Sequence, residues 1–276
     1  MSKGHVFVAQ NSDVDYVRQA CALALSIKKY NNIKETCIIT NDTIPKEYEH
    51  AFDYKVSIPW SDNARESVWK IENRWKIIHA TPFKESLVYD TDMLLLNTND
   101  HWWKYFKGKS LVFTTEVKDY FGNVITNDTY RKAFTANHLP NIYTGCFYVK
   151  KDAVAFEFFK WLELIVQNWK DFYKIHLKSN SQKFLSIDLS AALAFTFMDN
   201  PELISIDSHL PQFTHMKPAI QGWQTVPNMW TNAVHSCFTE DCQLKVGGIL
   251  QQGLFHYVED QFLTDDMLLT LLRTAK

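Results

Sequence analysis

The sequence lacks several features that mark specialised classes of protein. No apolar run approaches the roughly 20 residues that a membrane-spanning helix requires. Residues 1–5 lead directly into a strand-like segment without the apolar region of a signal peptide, so we expect a cytoplasmic protein. The formal net charge is −2 at pH 7, and therefore no global basic field attracts the chain to nucleic acid or to an anionic membrane.

Cysteine forms neither a disulfide framework nor a zinc pattern. The chain has five cysteines, and Cys237 and Cys242 lack a second cysteine or histidine pair at zinc-ligand spacing. We therefore expect reduced thiols. Aromatic residues, in contrast, make up 14% of the chain and include nine tryptophans. They pack cores, and they also offer stacking surfaces for sugar rings and bases.

Strand-like and helix-like segments follow one another from the N-terminus. Predicted strands over 5–10 and 36–40 flank a segment, Tyr16–Tyr30, whose apolar spacing predicts a helix. Strand, helix and strand begin a βαβ unit, in which a ligand binds at the carboxyl ends of the strands. Further predicted strands are 54–59, 86–89, 110–115, 142–149 and 249–254, and further predicted helices are 65–80, 153–176, 188–197 and 265–273. No repeat or linker interrupts this pattern, so we expect one domain over residues 1–276.

Two aspartates, Asp90 and Asp92, directly follow the apolar strand predicted at 86–89. Ionised carboxylates are costly to desolvate unless positive charge compensates them. A Mg²⁺ or Mn²⁺ ion that bridges to phosphate oxygens suits two carboxylates, because hard cations prefer oxygen ligands. Such an ion would offset the charge that develops on a diphosphate leaving group. Asp-x-Asp alone is common in solvated turns, but the apolar residues at 87–89 and 93–96 favour a metal site.

The chain resembles the GT-A superfamily of glycosyltransferases, and most closely its family-8 branch. Residues 6–30 are similar to the first strand and helix of that family, residues 89–93 match its metal motif, and Arg74 precedes Asp90 by about the spacing of its nucleotide-binding basic residue. The resemblance implies an α/β fold, a single Rossmann-like GT-A domain with a mixed central sheet flanked by helices. Residues 1–100 would bind the nucleotide sugar and the metal, and residues 101–276 the acceptor.

The same resemblance implies the donor, the cofactor and their ligands. The donor is a nucleoside-diphosphate sugar, with a UDP-sugar favoured, and the cofactor is Mn²⁺ or Mg²⁺. Ala9, Asn11 and Tyr16 occupy the places that hold the nucleotide base. The expected donor-binding residues are Ala9, Asn11, Tyr16, Arg74, Lys76, Asp90, Thr91, His215 and Lys217.

A histidine near the carboxyl end usually completes the metal site in this superfamily. His256 follows Gly247-Gly248 and a strand-like segment that would return it to the cleft, so we expect the ligands Asp90, Asp92 and His256. His215 competes for this role, and we otherwise assign His215 and Lys217 to contacts with the diphosphate or the acceptor. A neutral imidazole ligand predicts loss of activity below about pH 6.5.

The second half departs from the family-8 pattern. Where that family has Asn-x-Gly, this chain has Tyr143-Thr144-Gly145, and its later Asp-Gln pair corresponds to Asp188-Leu189. Retention or inversion of the anomeric configuration therefore stays open. In an inverting enzyme a carboxylate removes the proton of the acceptor hydroxyl, and Asp188 and Asp119 are the catalytic candidates.

The sequence indicates less about the acceptor than about the donor. Residues 214–223 and 255–260 resemble segments of bacteriophage nucleotide-sugar transferases, which suggests a hydroxylated base of phage DNA as acceptor and the host cytoplasm as location. A flipped base and a basic face would then be needed. The basic residues that could supply this face are Lys104, Lys107, Lys109, Lys118, Arg131 and Lys132.

Two other functions and the oligomeric state stay open. Nucleotidyl transfer to a sugar phosphate uses a similar fold and metal site, but residues 9–12 contain no glycine for a phosphate loop. A GT-A-like binding module without activity is the second alternative, and the intact Asp90-Thr91-Asp92 motif weighs against it.

Overall fold

A computed structural model describes residues 2–67, 70–125, 131–179, 182–207, 209–223 and 229–275. The strands are β1 Lys3–Val8, β2 Thr36–Ile39, β3 Tyr54–Val56, β4 Glu85–Tyr89, β5 Met93–Leu95, β6 Leu111–Thr114, β7 Tyr143–Lys150, β8 Ile204–Ser205, β9 Phe213–His215, β10 Ser236–Phe238, β11 Leu244–Val246, β12 Ile249–Leu250 and β13 Leu254–His256. The α-helices are α1 Tyr16–Tyr30, α2 Ile77–Ala80, α3 Trp102–Tyr105, α4 Lys132–Ala136, α5 Ala153–Gln167, α6 Trp169–His176, α7 Ile187–Thr196, α8 Pro218–Gln221 and α9 Asp265–Thr274. Short 3₁₀ helices cover Glu49–Ala51, Arg74–Lys76, Pro201–Leu203, Trp230–Asn232 and Asp260–Phe262.

The central sheet is mixed, with the strand order β3-β2-β1-β4-β7-β6-β8 within the described residues. β1 pairs in parallel with both β2 and β4, and β2 pairs in parallel with β3. β7 is antiparallel to both β4 and β6, whereas β8 is parallel to β6. The parallel strands β1 and β4 therefore end at the same edge of the sheet, beside the start of β7.

Apolar clusters cover both faces of this sheet. Because side chains alternate along a strand, Phe7 and Tyr89 enter one cluster while Val6 and Val88 enter the other. Helices α1 and α9 contribute to the first cluster, and α5 and α7 to the second. The expected mixed sheet flanked by helices is confirmed. Among the described residues, no helix combines the length and the apolar composition needed to span a bilayer.

A smaller sheet, β5-β13-β9, continues from the end of β4. The chain leaves β4, passes through 90–92 and enters β5. The antiparallel pairing of β13 with β5 aligns His256 with Met93, and its parallel pairing with β9 aligns His256 with His215. This register brings His256 to the two aspartates that lie between β4 and β5, with His215 beside it. The remaining short strands form a separate antiparallel sheet, β10-β11-β12.

Several predicted elements differ from the observed ones. The helix predicted over 65–80 is wrong: helical turns begin only at Arg74, and Lys70 has a left-handed φ of 55°. Val68 and Trp69 of that segment lie outside the described residues. The helix predicted over 153–176 is two helices, because the chain leaves helical geometry at Asn168. The strand predicted over 249–254 is split into β12 and β13, with Gly253 at a φ of 77° between them.

Candidate active site

A cleft of about 580 Å³ opens at the edge of the sheet where β1 and β4 end. Tyr89 of β4 is aligned with Phe7 of β1 and with Cys146 of β7. The Asp90 N–H then donates a hydrogen bond of 2.7 Å to the Gly145 carbonyl, so the aspartate motif lies against the start of β7. The carboxyl end of a strand in an α/β sheet is a usual place for a ligand.

Asp90, Asp92 and His256 converge in this cleft, and we name them the metal corner. One potential ligand atom from each lies within 4.8 Å of the others. His256 Nε2 is 2.9 Å from Asp92 Oδ2, and the Tyr257 N–H donates to the Asp92 carbonyl at 3.0 Å. Two carboxylates and one imidazole are a donor set that suits Mn²⁺ or Mg²⁺. The residues present therefore fit the divalent ion expected from the sequence.

The charges of Asp92 and His256 stabilise one another. Burial opposes the ionisation of Asp92, but the charge and hydrogen bond of His256, together with Arg74, hold the pKa of its carboxyl below the usual value. Burial likewise opposes protonation of His256, and Asp92 followed by Asp90 raises the pKa of its imidazole. Because a metal-binding imidazole must be deprotonated, a cation at the metal corner would compete with protonation of His256, which the neighbouring carboxylates favour.

Arg74 joins the metal corner through Asp90. Its Nη2 forms a close ion pair with Asp90 Oδ1, and both side chains are mostly buried. Asp90 also fits tightly against β7: a Cβ atom on Gly145 would lie 3.0 Å from Asp90 Oδ2 and 3.1 Å from Met93 Cε. The glycine of the 143–145 segment therefore leaves room for the Asp90 carboxylate.

Asp188 lines the same cleft, and three groups hold its carboxylate. Oδ1 accepts hydrogen bonds from the Thr144 N–H at 2.8 Å and from the Thr144 hydroxyl at 2.6 Å. Oδ2 accepts a bond of 2.8 Å from Arg131 Nη1. The Arg131 guanidinium is itself buried between the rings of Phe134 and Tyr143, at 3.7 and 3.9 Å from their centroids. Asp188 is thus fixed in place, and Arg131 does not belong to an exposed basic face.

Val8, Gln10 and Tyr16 also line the cleft. Gln10 Nε2 donates to Asp62 at 2.9 Å, and Gln10 Oε1 accepts from Asn73 at 2.8 Å. Burial, and then the charges of the metal-corner aspartates, raise the pKa of the Tyr16 phenol, so this hydroxyl is protonated and can donate a hydrogen bond.

From the sequence we expect Ala9 and Asn11 to contact the donor, whereas Gln10 between them lines the cleft. Ala9 is fully buried, and Asn11 Oδ1 accepts from the Val17 N–H at 3.0 Å near the start of α1. Neither residue lines the cleft. The alternation of side chains could have identified Gln10, because Val8 and Gln10 have the same parity along the extended chain.

The side chains of Lys76 and Thr91, two residues expected to bind the donor, make hydrogen bonds within the protein. The buried Lys76 ammonium donates to the Ser61 carbonyl and, at 2.7 Å, to Asn63 Oδ1. Lys76 does not line the cleft, whereas Thr91 does, although its hydroxyl donates to Gln19 at 3.2 Å.

His215 and Lys217 both line the cleft. The His215 ring is parallel to that of His256, with centroids 4.5 Å apart and an interplanar angle of 5°. Burial, followed by the neighbouring His256, Lys217 and Arg131, holds the pKa of His215 well below its ordinary value. His215 is therefore a neutral imidazole that packs on the metal corner.

Asp119 does not line the cleft. Its Oδ1 accepts from the Phe121 and Asn123 N–H groups, both at 2.9 Å, and so closes its own turn. It borders a separate hollow together with Tyr120 and Trp223.

Comparison by sequence finds no relatives: no family model matches the chain, and no curated protein does. Comparison by structure finds the galactosyltransferase LgtC in complex with donor and acceptor sugar analogs, at 12% identity and a TM-score of 0.52, over 98% of this chain and 95% of that one.

Two structures of the glycosyltransferase GlyE from Streptococcus pneumoniae TIGR4 are also similar. Their identities are 16% and 13% and their TM-scores 0.43 and 0.48, over 74% and 100% of this chain. This chain spans only 45% and 60% of the length of those two GlyE chains. The match to LgtC, along nearly the full length of both chains, shows that this chain has the GT-A glycosyltransferase fold.

Proposed function

We propose that this protein is a metal-dependent glycosyltransferase that moves a sugar from a nucleoside-diphosphate sugar to an acceptor hydroxyl. The observation that carries the proposal is the convergence of Asp90, Asp92 and His256 in one cleft of about 580 Å³. Such a volume lies in the range of small-molecule sites. The similarity to LgtC, whose structure contains donor and acceptor sugar analogs, supports the same assignment.

A bound Mn²⁺ or Mg²⁺ would act as a Lewis acid toward the diphosphate leaving group. Asp90, Asp92 and His256 would hold it. Lys217 and Arg74 line the same cleft and would offset the negative charge of the phosphates. Tyr16 and Gln10 line the same cleft, and we place the nucleoside against them, with UDP-sugars as the favoured donors.

Asp188 would orient the reacting sugar. Its carboxylate is fixed by Thr144 and Arg131, and it lines the cleft. A carboxylate held in this way can accept a hydrogen bond from a sugar hydroxyl without first reorganising. Asp188 is therefore our candidate for direct contact with the reacting groups, whereas Asp119, the other carboxylate considered for this role from the sequence, lies outside the cleft.

A hydroxylated base of phage DNA is our proposed acceptor, in the cytoplasm of the host. Of the basic residues considered for DNA contacts, Lys104, Lys107 and Lys132 are exposed and Lys109 and Lys118 are half-buried, whereas Arg131 is buried. If these lysines contact phosphates, binding to hydroxymethylated DNA weakens steeply with added salt. Binding that does not change between low and high salt would exclude this acceptor.

A thermal-stability titration tests the proposed activity. Mn²⁺ is combined with a panel of nucleoside-diphosphate sugars and nucleoside triphosphates. A ligand at 100 times its Kd adds about 2.7 kcal/mol to the free energy of unfolding. We expect the largest stabilisation from a UDP-sugar with Mn²⁺, its loss in Asp92→Asn, and its retention in the control Asp266→Asn, which changes an exposed carboxylate of α9.

The other outcomes of this titration separate the alternatives. Stabilisation by triphosphates alone would favour nucleotidyl transfer to a sugar phosphate. No response to any nucleotide, with or without Mn²⁺, would favour a binding module without activity and would contradict the proposed metal site.

A further inference from the structure

The His256 imidazole has an unusual environment for a metal ligand. Its Nε2 faces Asp92 at 2.9 Å, whereas its Nδ1 is buried and has no hydrogen-bond partner among the described residues. A histidine that ligates a metal nearly always donates its second ring N–H to a carboxylate, carbonyl or water, which fixes the ring orientation. Among the described residues, no polar group orients the His256 ring from its Nδ1 side.

Ring packing supplies that contact. The His215 ring lies parallel to the His256 ring, with a centroid separation of 4.5 Å and an interplanar angle of 5°. Phe213 meets the same ring edge-on at 5.5 Å. Stacked and edge-to-face contacts of this kind stabilise aromatic pairs beyond the effect of burial alone. Together the two rings restrict the rotation of His256 about its side-chain torsions.

The backbone fixes the position of the His215 ring. β9 and β13 are paired so that His215 is aligned with His256, and the Met216 N–H donates to the His256 carbonyl at 3.0 Å. On its other side, the His215 N–H donates to the Lys118 carbonyl at 2.8 Å. Gln221 Nε2 also donates to the His215 carbonyl. The stack is therefore set by the register of two strands.

Among the described residues, His215 Nδ1 is buried without a hydrogen-bond partner, and His215 lies outside the group of ligand atoms formed by Asp90, Asp92 and His256. We propose that His215 is a positioning residue, which stacks on His256 and holds Nε2 toward the metal rather than binding the metal or the diphosphate itself. This inference rests on the metal site of the proposed function.

Mn²⁺ affinity of the nucleotide-free protein, measured from the electron paramagnetic resonance signal of unbound Mn²⁺, tests the proposal. His215→Ala removes the stack, and we expect the affinity to fall about tenfold, as for other groups that orient a metal ligand. His215→Phe keeps an aromatic ring without nitrogen, and we expect a change of less than about threefold. His256→Ala removes the metal ligand itself and sets the lower limit of Mn²⁺ affinity for the comparison. Circular dichroism and the unfolding midpoint establish that each variant is folded.

Pulsed electron paramagnetic resonance provides the second readout. We expect the bound Mn²⁺ to couple to one imidazole nitrogen. This coupling should disappear in His256→Ala and persist in His215→Phe. Coupling to two imidazoles would overturn the proposal, because His215 would then bind the metal. It would also be overturned if His215→Phe bound Mn²⁺ as weakly as His215→Ala, because the His215 nitrogen would then be essential. Wild-type affinity in His215→Ala would overturn it as well. A wild-type protein that leaves millimolar Mn²⁺ unbound would instead refute the metal site of the proposed function, and with it this inference.

Discussion

The metal corner and the turn at Asp119 both place aspartates shortly after a buried apolar strand, but they use them differently. Asp92 meets His256, which is supplied from a distant segment of the chain. Asp119 instead accepts hydrogen bonds from Phe121 and Asn123 of its own turn. A carboxylate satisfied by nearby backbone N–H groups stabilises local structure. A carboxylate that lines a cleft, and whose partners come from distant parts of the chain, is available for binding a ligand.

Asp188 lies between these two cases. It lines the cleft, as the metal corner does, yet Thr144 and Arg131 already hold both of its oxygens. Its partners come from distant segments, so its geometry is a product of the fold, but its charge is compensated by the protein. The comparison therefore predicts a different outcome when each of these carboxylates is neutralised.

Asp92→Asn has the largest expected effect on activity. The change keeps the shape of the side chain but removes the charge that faces His256 and that would hold the cation of the proposed site. We expect the rate of sugar transfer to fall on the order of 100-fold to 1000-fold, in line with the loss of one strong electrostatic contact at a reacting centre. Steady-state transfer with saturating Mn²⁺ measures it, with Asp266→Asn as control. A loss of less than tenfold would show that Asp92 does not hold an ion that sugar transfer requires.

Asp188→Asn has its largest effect on stability. It leaves the buried Arg131 guanidinium without its anionic partner, and the loss of one member of a buried pair costs about 3–5 kcal/mol. Because the Asp188 side chain is 22% exposed, we expect about 3 kcal/mol or less. Urea unfolding measures it. An unchanged free energy of unfolding would mean that the Arg131 pair does not hold Asp188.

Gly145→Ala tests the tight fit of Asp90 against β7. The added Cβ would lie 3.0 Å from Asp90 Oδ2, so the carboxylate would have to shift by a few tenths of an ångström. We expect Mn²⁺ affinity to fall about tenfold, as when other supports of a metal ligand are disturbed. Calorimetric titration of Mn²⁺ measures it, and the unfolding midpoint serves as the control for general damage. Wild-type affinity in a folded variant would show that Asp90 tolerates displacement.

Asp119→Asn has the smallest expected effect. It weakens the turn at 119–123 by about 1 kcal/mol, because the amide still offers one oxygen to the backbone N–H groups. Mn²⁺ affinity and the transfer rate are expected to stay within about twofold of wild type, since surface changes away from a site have small effects. A large loss of rate with unchanged Mn²⁺ affinity would make Asp119 the catalytic base and reverse the comparison.

The spacing of apolar residues along the chain predicted individual helices and strands correctly where neighbouring residues determine them. The helix Tyr16–Tyr30 follows from its apolar spacing, with Asp15 accepting from the Arg18 N–H at its start. The buried strand that carries Asp90 follows from its run of apolar residues. The helix predicted over 65–80 is wrong because its spacing did not reveal the left-handed backbone at Lys70.

The site required information that is not local. His256 was predicted as the third ligand from resemblance, but its approach to Asp92 depends on the pairing of β13 with β5. The stack with His215 depends on the pairing of β13 with β9, which no spacing in the sequence indicates. Gln10 lines the cleft whereas the named residues Ala9 and Asn11 do not, because in an extended strand a shift of one residue reverses the direction of the side chain.

Calorimetric titration of UDP into the protein, with and without Mn²⁺, tests the central claim most directly. If Asp90, Asp92 and His256 hold a divalent ion that binds the diphosphate, removing Mn²⁺ weakens UDP binding roughly 100-fold, because a metal contact to phosphoryl oxygens contributes several kcal/mol. Asp92→Asn shows the weak binding even with Mn²⁺ present. Equal UDP affinity with and without Mn²⁺, or no UDP binding in either condition, would contradict this account.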